Sequence, residues 1–196
     1  MRREEEFWYR FEYETSGQAD SGVGRAWSVA YDFVDSVKLA VVLLMLVFSF
    51  LLRPVCVQGS SMLPTLSNGD WVASFCCHGS IEGGDIVIIT QPEEGSRALV
   101  KRVIAVGGDR VDIDFSSGEV YVNGQMLDEP YINSKTYLRY DVTFPIDVPE
   151  GCLFVMGDNR NDSKDSRSSE IGLIDERYIL GEVKFRFFPL GRFKIN

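Results

Sequence analysis

Hydrophobic and polar positions divide the chain near residue 55. From Leu39 to Leu52 the sequence reads LAVVLLMLVFSFLL, broken only by Ser49. No polar face interrupts the run, and Trp27 and Tyr31 precede it at interface depth. As a helix the run spans about 21 Å, short of the roughly 30 Å hydrocarbon thickness of a bilayer. Val37, a snorkelling Lys38 and Arg53 extend it close to a full span, so the pattern predicts a transmembrane anchor over 37–54. A buried helix of a soluble domain and a cleaved signal peptide are the alternatives. Against cleavage, about 38 residues precede the run, including Glu4-Glu5-Glu6. No A-x-A site follows it in Arg53-Pro54-Val55-Cys56-Val57. Arg25 and Lys38 before the run, against Arg53 after it, give a small excess that favours a cytoplasmic N-terminus. On charge alone the topology stays nearly open.

Downstream the period changes. Trp71-Val72-Ala73-Ser74-Phe75, Ile86-Val87-Ile88-Ile89 and Leu99-Val100-Lys101-Arg102-Val103-Ile104 are short runs rich in β-branched residues, separated by Gly, Pro and Asp. Val120-Tyr121-Val122-Asn123-Gly124-Gln125-Met126-Leu127 predicts a hairpin, because Asn-Gly suits a two-residue type I′ turn. Val183, Phe185 and Phe187 alternate with Lys184 and Arg186, which predicts one buried and one wet strand face. The fold expected is mostly β: an antiparallel-sheet domain over 55–196 following a single N-terminal transmembrane helix. Residues 1–36 read as a polar tail that becomes amphipathic near the membrane, with Phe7, Trp8, Tyr9, Phe11 and Tyr13 scattered along it.

Charge and cysteines narrow the picture. A net charge of −9 with no basic cluster past the first residues excludes nucleic acid as a partner. Cys56, Cys76, Cys77 and Cys152 have no C-x-x-C spacing and only His78 for company, so neither a zinc site nor any other metal or cofactor is expected. Either of the adjacent cysteines could bond Cys152 in an oxidising compartment, or all four could be small buried residues.

Three islands carry candidate chemistry. Gly59-Ser60-Ser61-Met62-Leu63-Pro64-Thr65-Leu66 is by itself an ordinary serine turn. Leu99 to Asp109 places Lys101 and Arg102 on opposite faces of a strand, so one of them should point inward. A buried lysine loses its proton more easily and becomes a base near neutral pH. Phe154-Val155-Met156 runs into the polar stretch Gly157 to Arg167, whose plain interpretation is a solvated turn. It lacks the spacing of a calcium loop. A Ser-His-Asp site would need a histidine, and His78 has no nucleophile elbow nearby. If Ser61 is a nucleophile, an inward lysine is the sensible base.

Together the islands resemble the bacterial type I signal peptidases, or leader peptidases. The family has S-M-x-P-T-L, here Ser61 to Leu66, and V-K-R-V-I-x-x-x-G-D, here Val100 to Asp109. It also has G-D-N-R-x-x-S-x-D-S-R, here Gly157 to Arg167, and a weaker motif at Gly84-Asp85-Ile86-Val87. The resemblance covers nearly everything from Val55 onward. It implies a membrane-bound serine endopeptidase that removes signal peptides from exported preproteins, with its catalytic domain outside the cytoplasm. It implies Ser61 as nucleophile, Lys101 as general base, Ser163 orienting the lysine, and Asp165 paired with Arg167. Two positions depart from the pattern. Gly59 stands where some members carry a hydroxyl, and Ile171 stands before Gly172 where an aromatic is common.

Ser61 lies about nine residues beyond the apolar run, an extended reach of no more than roughly 30 Å. A substrate is expected to lie extended between Val57 and Gln58 on one side and Leu99 and Val100 on the other. Met62, Leu66 and Val100 match family positions lining its pockets, and the resemblance implies an Ala-x-Ala preference. The oligomeric state has no signature in the sequence. Two other functions fit parts of the pattern. A self-cleaving Ser/Lys repressor would need a DNA-binding domain, and a tethered peptide-binding β-domain would leave Ser61, Lys101 and Ser163 without purpose.

Overall fold

The computed structural model describes residues 22–50, 52–75, 79–90 and 98–189. The tail aromatics Phe7 to Tyr13, and Cys76, Cys77 and His78, lie outside them. The chain divides into two compact units, 1–47 and 48–196. Helix α1, Gly22–Phe50, dominates the first. Its apolar side chains from Leu39 to Leu46 are exposed, and Asp32, Asp35 and Lys38 occupy its earlier turns. Among the described residues, no helix is long and apolar enough to cross a membrane. Leu52, the end of the apolar run, belongs to the first strand rather than to the helix.

The second unit is antiparallel β. A seven-stranded sheet contains β1 (Leu52–Cys56), β2 (Trp71–Phe75), β3 (Ile86–Thr90), β4 (Ala98–Ala105), β9 (Cys152–Met156), β10 (Ile174–Asp175) and β11 (Ile179–Phe188), ordered β1-β2-β11-β3-β4-β9-β10. A smaller sheet, β7-β6-β5-β8, is built from β5 (Arg110–Asp114), β6 (Glu119–Val122), β7 (Gln125–Met126) and β8 (Ile146–Asp147). The Asn-Gly turn forms where the hairpin was predicted: Asn123 and Gly124 take φ of 54° and 78° between the paired Val122 and Gln125.

Two outcomes differ from simple alternation. The central strands are covered on both faces. Ile86, Ile88 and Val100 pack with Val57, Met62, Leu66 and Val72, while Val87, Ile89 and Val103 pack with Leu153, Val155 and Ile174. Lys101 and Arg102 are therefore both buried, each 3% exposed, where only one was expected to point inward. Arg186 was expected on a wet face and is buried too. Register shifts in β11 between Val183 and Phe185, and between Arg186 and Phe188, break the period of two. They turn Arg186 inward onto Asp70, with Nη1 2.7 Å from the carboxylate.

Candidate active site

The segment after β1 is held by its own turns and by the loop after β9. Leu63 N–H donates to Ser60 O at 3.1 Å and Leu66 N–H to Met62 O at 2.9 Å, coiling Ser61 to Leu66 into a tight knot. Asn159 donates its backbone N–H to Ser61 O at 3.0 Å and its side-chain amide to Ser60 O at 3.1 Å. The Ser60 hydroxyl donates to Asp162 at 2.6 Å. Gly59, anchored through its N–H to Asn68 Oδ1 at 2.9 Å, has φ +92° with open space where a Cβ would stand. A hydroxyl residue there would be strained by its backbone rather than by crowding, which accounts for glycine at this position.

Lys101 Nζ donates to Ser163 Oγ at 3.1 Å. Burial is the largest influence on the amine and lowers its pKa to about 8. Asp165 pulls the other way, and Arg167 opposes Asp165. The Asp165 carboxylate is occupied: it accepts Arg167 Nε and Nη2, each at 2.8 Å, and Gly157 N–H at 3.0 Å. Both members of the Asp165–Arg167 pair are fully buried.

The stretch Gly157 to Ser168 is not a solvated turn. Asp158, Arg160, Ser163, Asp165, Ser166, Arg167 and Ser168 are all buried, where the residues alone pointed to a solvated turn. Partners distant in sequence make this possible, since a buried charge needs a counter-charge and hydrogen bonds. Asp158 binds Arg102 through two 2.8 Å bonds and accepts the Thr65 hydroxyl. Arg102 also donates to Gly84 O at 2.8 Å and lies 3.9 Å from the Tyr131 ring centre. Arg160 pairs with Glu129 and donates to Thr136 at 3.0 Å.

Ser61 and Lys101 line one cavity of about 310 Å³, with Val55, Cys56, Val57, Gln58, Met62 and Ala98 to Val100 as its other walls. The candidate nucleophile, the candidate base and five of the six expected substrate-contact residues thus share one cleft. Leu66 does not line it; it sits fully buried in the core beneath, beside Met62 and Val100.

Residues 30–188 match the family described as signal peptidase, peptidase S26. The chain belongs to this family. Signal peptidase IB of Staphylococcus aureus (strain MRSA252) is 37% identical over 183 residues, covering 84% of this chain and 93% of that protein. Signal peptidase I of Bacillus licheniformis is 38% identical over 174 residues, covering 84% and 91%. A crystal structure of a signal peptidase I from Enterococcus faecalis aligns at 26% identity with a TM-score of 0.43, covering 53% of this chain and 97% of that one. This signal peptidase is accordingly a serine endopeptidase.

Several residues of the cleft carry no separate sequence signal. A Cβ on Gly157 would overlap Ser163 Oγ and Ser61 O, so glycine is what lets the two serine segments meet. Asn159, Asp162 and Thr65 clamp the Ser61 knot, yet each looks like ordinary loop chemistry in one dimension. A pointer was present in the adjacency of Arg102 to Lys101 and the surplus of acids after β9, which together call for a buried pair. Cys56 and Cys152 are half-buried free thiols.

Proposed function

We propose that this signal peptidase cleaves signal peptides from exported preproteins with a Ser61/Lys101 dyad, anchored in the membrane with its catalytic domain outside the cytoplasm. The observation that carries the reading is a buried lysine amine, held by a serine hydroxyl, in the same cleft as Ser61. A neutral Lys101 accepts the Ser61 hydroxyl proton as Oγ attacks the scissile carbonyl carbon. The Ser61 backbone N–H is the proposed donor to the resulting oxyanion. Collapse breaks the C–N bond, and the leaving amine takes its proton from the Lys101 ammonium. Lys101 then takes a proton from a water that attacks the ester and returns it to Ser61 Oγ as the acyl C–O bond breaks; the freed carboxyl group of the signal peptide loses its remaining proton to solvent. Ser163 fixes the direction of the amine without charging it. Arg167 keeps Asp165 from holding the proton on Lys101.

The cleft geometry supports an extended substrate. β4 pairs with β3 from Ala98 to Arg102 but meets β9 only from Arg102 onward, so, among the described residues, 98–101 keep an unpaired edge. β1 pairs on one side only, with β2. A preprotein strand can add to such edges and turn alternate side chains into the cleft, as an Ala-x-Ala preference requires. Membrane anchoring is supported by the exposed apolar side chains of α1, which water penalises. The expected bounds of 1–36 for the tail and 37–54 for the anchor do not match the elements: α1 already begins at Gly22 and ends at Phe50, and residues 52–54 pair with β2, so the anchor proposed is the apolar part of α1.

Purified full-length protein in detergent, given a precursor, tests the dyad. Ser61→Ala and Lys101→Ala should each lose on the order of 10⁴-fold or more, with little further loss in the double variant. Additive losses would refute the dyad. In the same assay, bulky residues at the first and third positions before the cut should block cleavage, while the second stays permissive. Equal tolerance at all three positions rules out the strand-addition mode.

A further inference from the structure

Residues 128–141, between β7 and β8, form no helix or strand, and several of their polar groups bond the loop that carries Ser163. Asn161 Oδ1 accepts the backbone N–H groups of Tyr137 and Leu138 at 3.0 and 2.9 Å. Leu138 O accepts Arg167 Nη1 at 2.9 Å. The Tyr140 hydroxyl donates to the backbone carbonyl of Ser163 at 3.1 Å. Its ring faces the Arg167 guanidinium, with 5.5 Å from Cζ to the ring centre. The same Ser163 carbonyl accepts Arg167 Nη2 at 3.2 Å.

We infer that Tyr140 is a positioning residue for the reaction, acting through Ser163 on Lys101. The inference rests on the proposed role of Lys101 as base. A carbonyl oxygen has two acceptor sites, and here Tyr140 and Arg167 fill both, fixing the peptide plane at Ser163. That plane sets where the short Ser163 side chain delivers its oxygen. Tolerance is small in one direction, because Ser163 Oγ and Cβ already press on the place where Gly157 has no side chain. In the other direction Ser163 withdraws from Lys101, and the amine loses the partner that aims it. Arg167 cannot hold the carbonyl alone, since its guanidinium is already shared among Asp165, Leu138 O and Arg160 O.

Tyr140→Phe removes only the hydroxyl and keeps the ring against Arg167. With a peptide spanning a signal-peptide cleavage site and the detergent-solubilised full chain, kcat should fall about 3- to 10-fold, the weight of one neutral hydrogen bond. KM should stay unchanged, because Tyr140 is not among the residues lining the cleft. In a Ser163→Ala background the same substitution should cost nothing further. Wild-type kcat in Tyr140→Phe, a loss confined to KM, or an equal loss in both backgrounds would overturn the inference. If Ser163→Ala is too slow to measure, the split between kcat and KM decides alone. Substantial turnover by Lys101→Ala would instead remove the dyad itself, a separate failure.

Discussion

Two cavities of about 310 Å³ each contain a lysine, and the two lysines are opposites. Lys101 is buried in the interior of a strand, touches a hydroxyl, and has its pKa lowered to about 8 by desolvation. Lys135 lines the cavity between the β6–β7 hairpin and residues 128–135, with half its side chain in water. Its ammonium binds Glu119 at 3.0 Å, and that hydrogen bond raises its pKa. A lysine becomes a base only where water is excluded and no carboxylate replaces it. Lys135 fails on both counts, so cavity volume alone does not distinguish a catalytic cleft from a surface hollow.

The contrast can be broken from the Lys101 side. Gly157→Ala inserts a methyl group between Ser61 and Ser163 and should separate the amine from its partner. A loss of about 100-fold in kcat is expected, as for a roughly 1 Å misplacement of catalytic groups. A wild-type rate would mean that the two serine segments need not meet.

Arg167→Leu makes Lys101 more like Lys135, because Asp165 loses its counter-charge and turns its field on the amine. The sign follows directly. Asp165 raises the Lys101 pKa and Arg167 lowers it, so removing Arg167 raises it on both counts. Under the proposed mechanism the neutral amine is the active form, so wild-type kcat/KM should climb through pH 8 as Lys101 deprotonates. In Arg167→Leu the ascending limb should move to higher pH. Breaking the buried pair should also cost about 3–5 kcal/mol, measured by denaturant unfolding. An unmoved limb in a folded variant would show that Arg167 does not set the Lys101 field. The smallest effect is expected at the other cavity. Lys135→Ala should leave kcat, KM and the pH limb where they are, and any shift in that limb would contradict the contrast.

Local chemistry was legible in the sequence and long-range pairing was not. Runs such as Ile86–Ile89 and the Asn123-Gly124 turn depend on neighbours within a few residues, so they read correctly. Ser61, Lys101 and Ser163 stood out only through the family motifs, since each alone reads as ordinary turn or strand chemistry. Arg186 was misread because the bulges in β11 arise from pairing with β2, which no local pattern records. The Gly157–Ser168 loop was ambiguous for a related reason. The same Asp, Ser and Asn residues make local exposed turns elsewhere, as at Asp114, where Ser116 and Ser117 supply the hydrogen bonds. In the buried loop the partners lie far away along the chain: Thr65 and Arg102 for Asp158, Thr136 for Arg160 and Leu138 for Arg167.

The unpaired edge at residues 98–101 has one more consequence. An edge open to the extended substrate proposed above is open in principle to any extended chain, including another copy of this one. Proteins ordinarily blunt such edges with charge, proline or bulges. Here β9 closes the edge again from Arg102 onward. Among the described residues the opening runs over 98–101, long enough for the few residues around the scissile bond of the proposed substrate. Lengthening it by disrupting the β4–β9 pairing would therefore trade selective capture for self-association, visible as sedimentation that grows with concentration and reverses when a signal-peptide ligand fills the cleft.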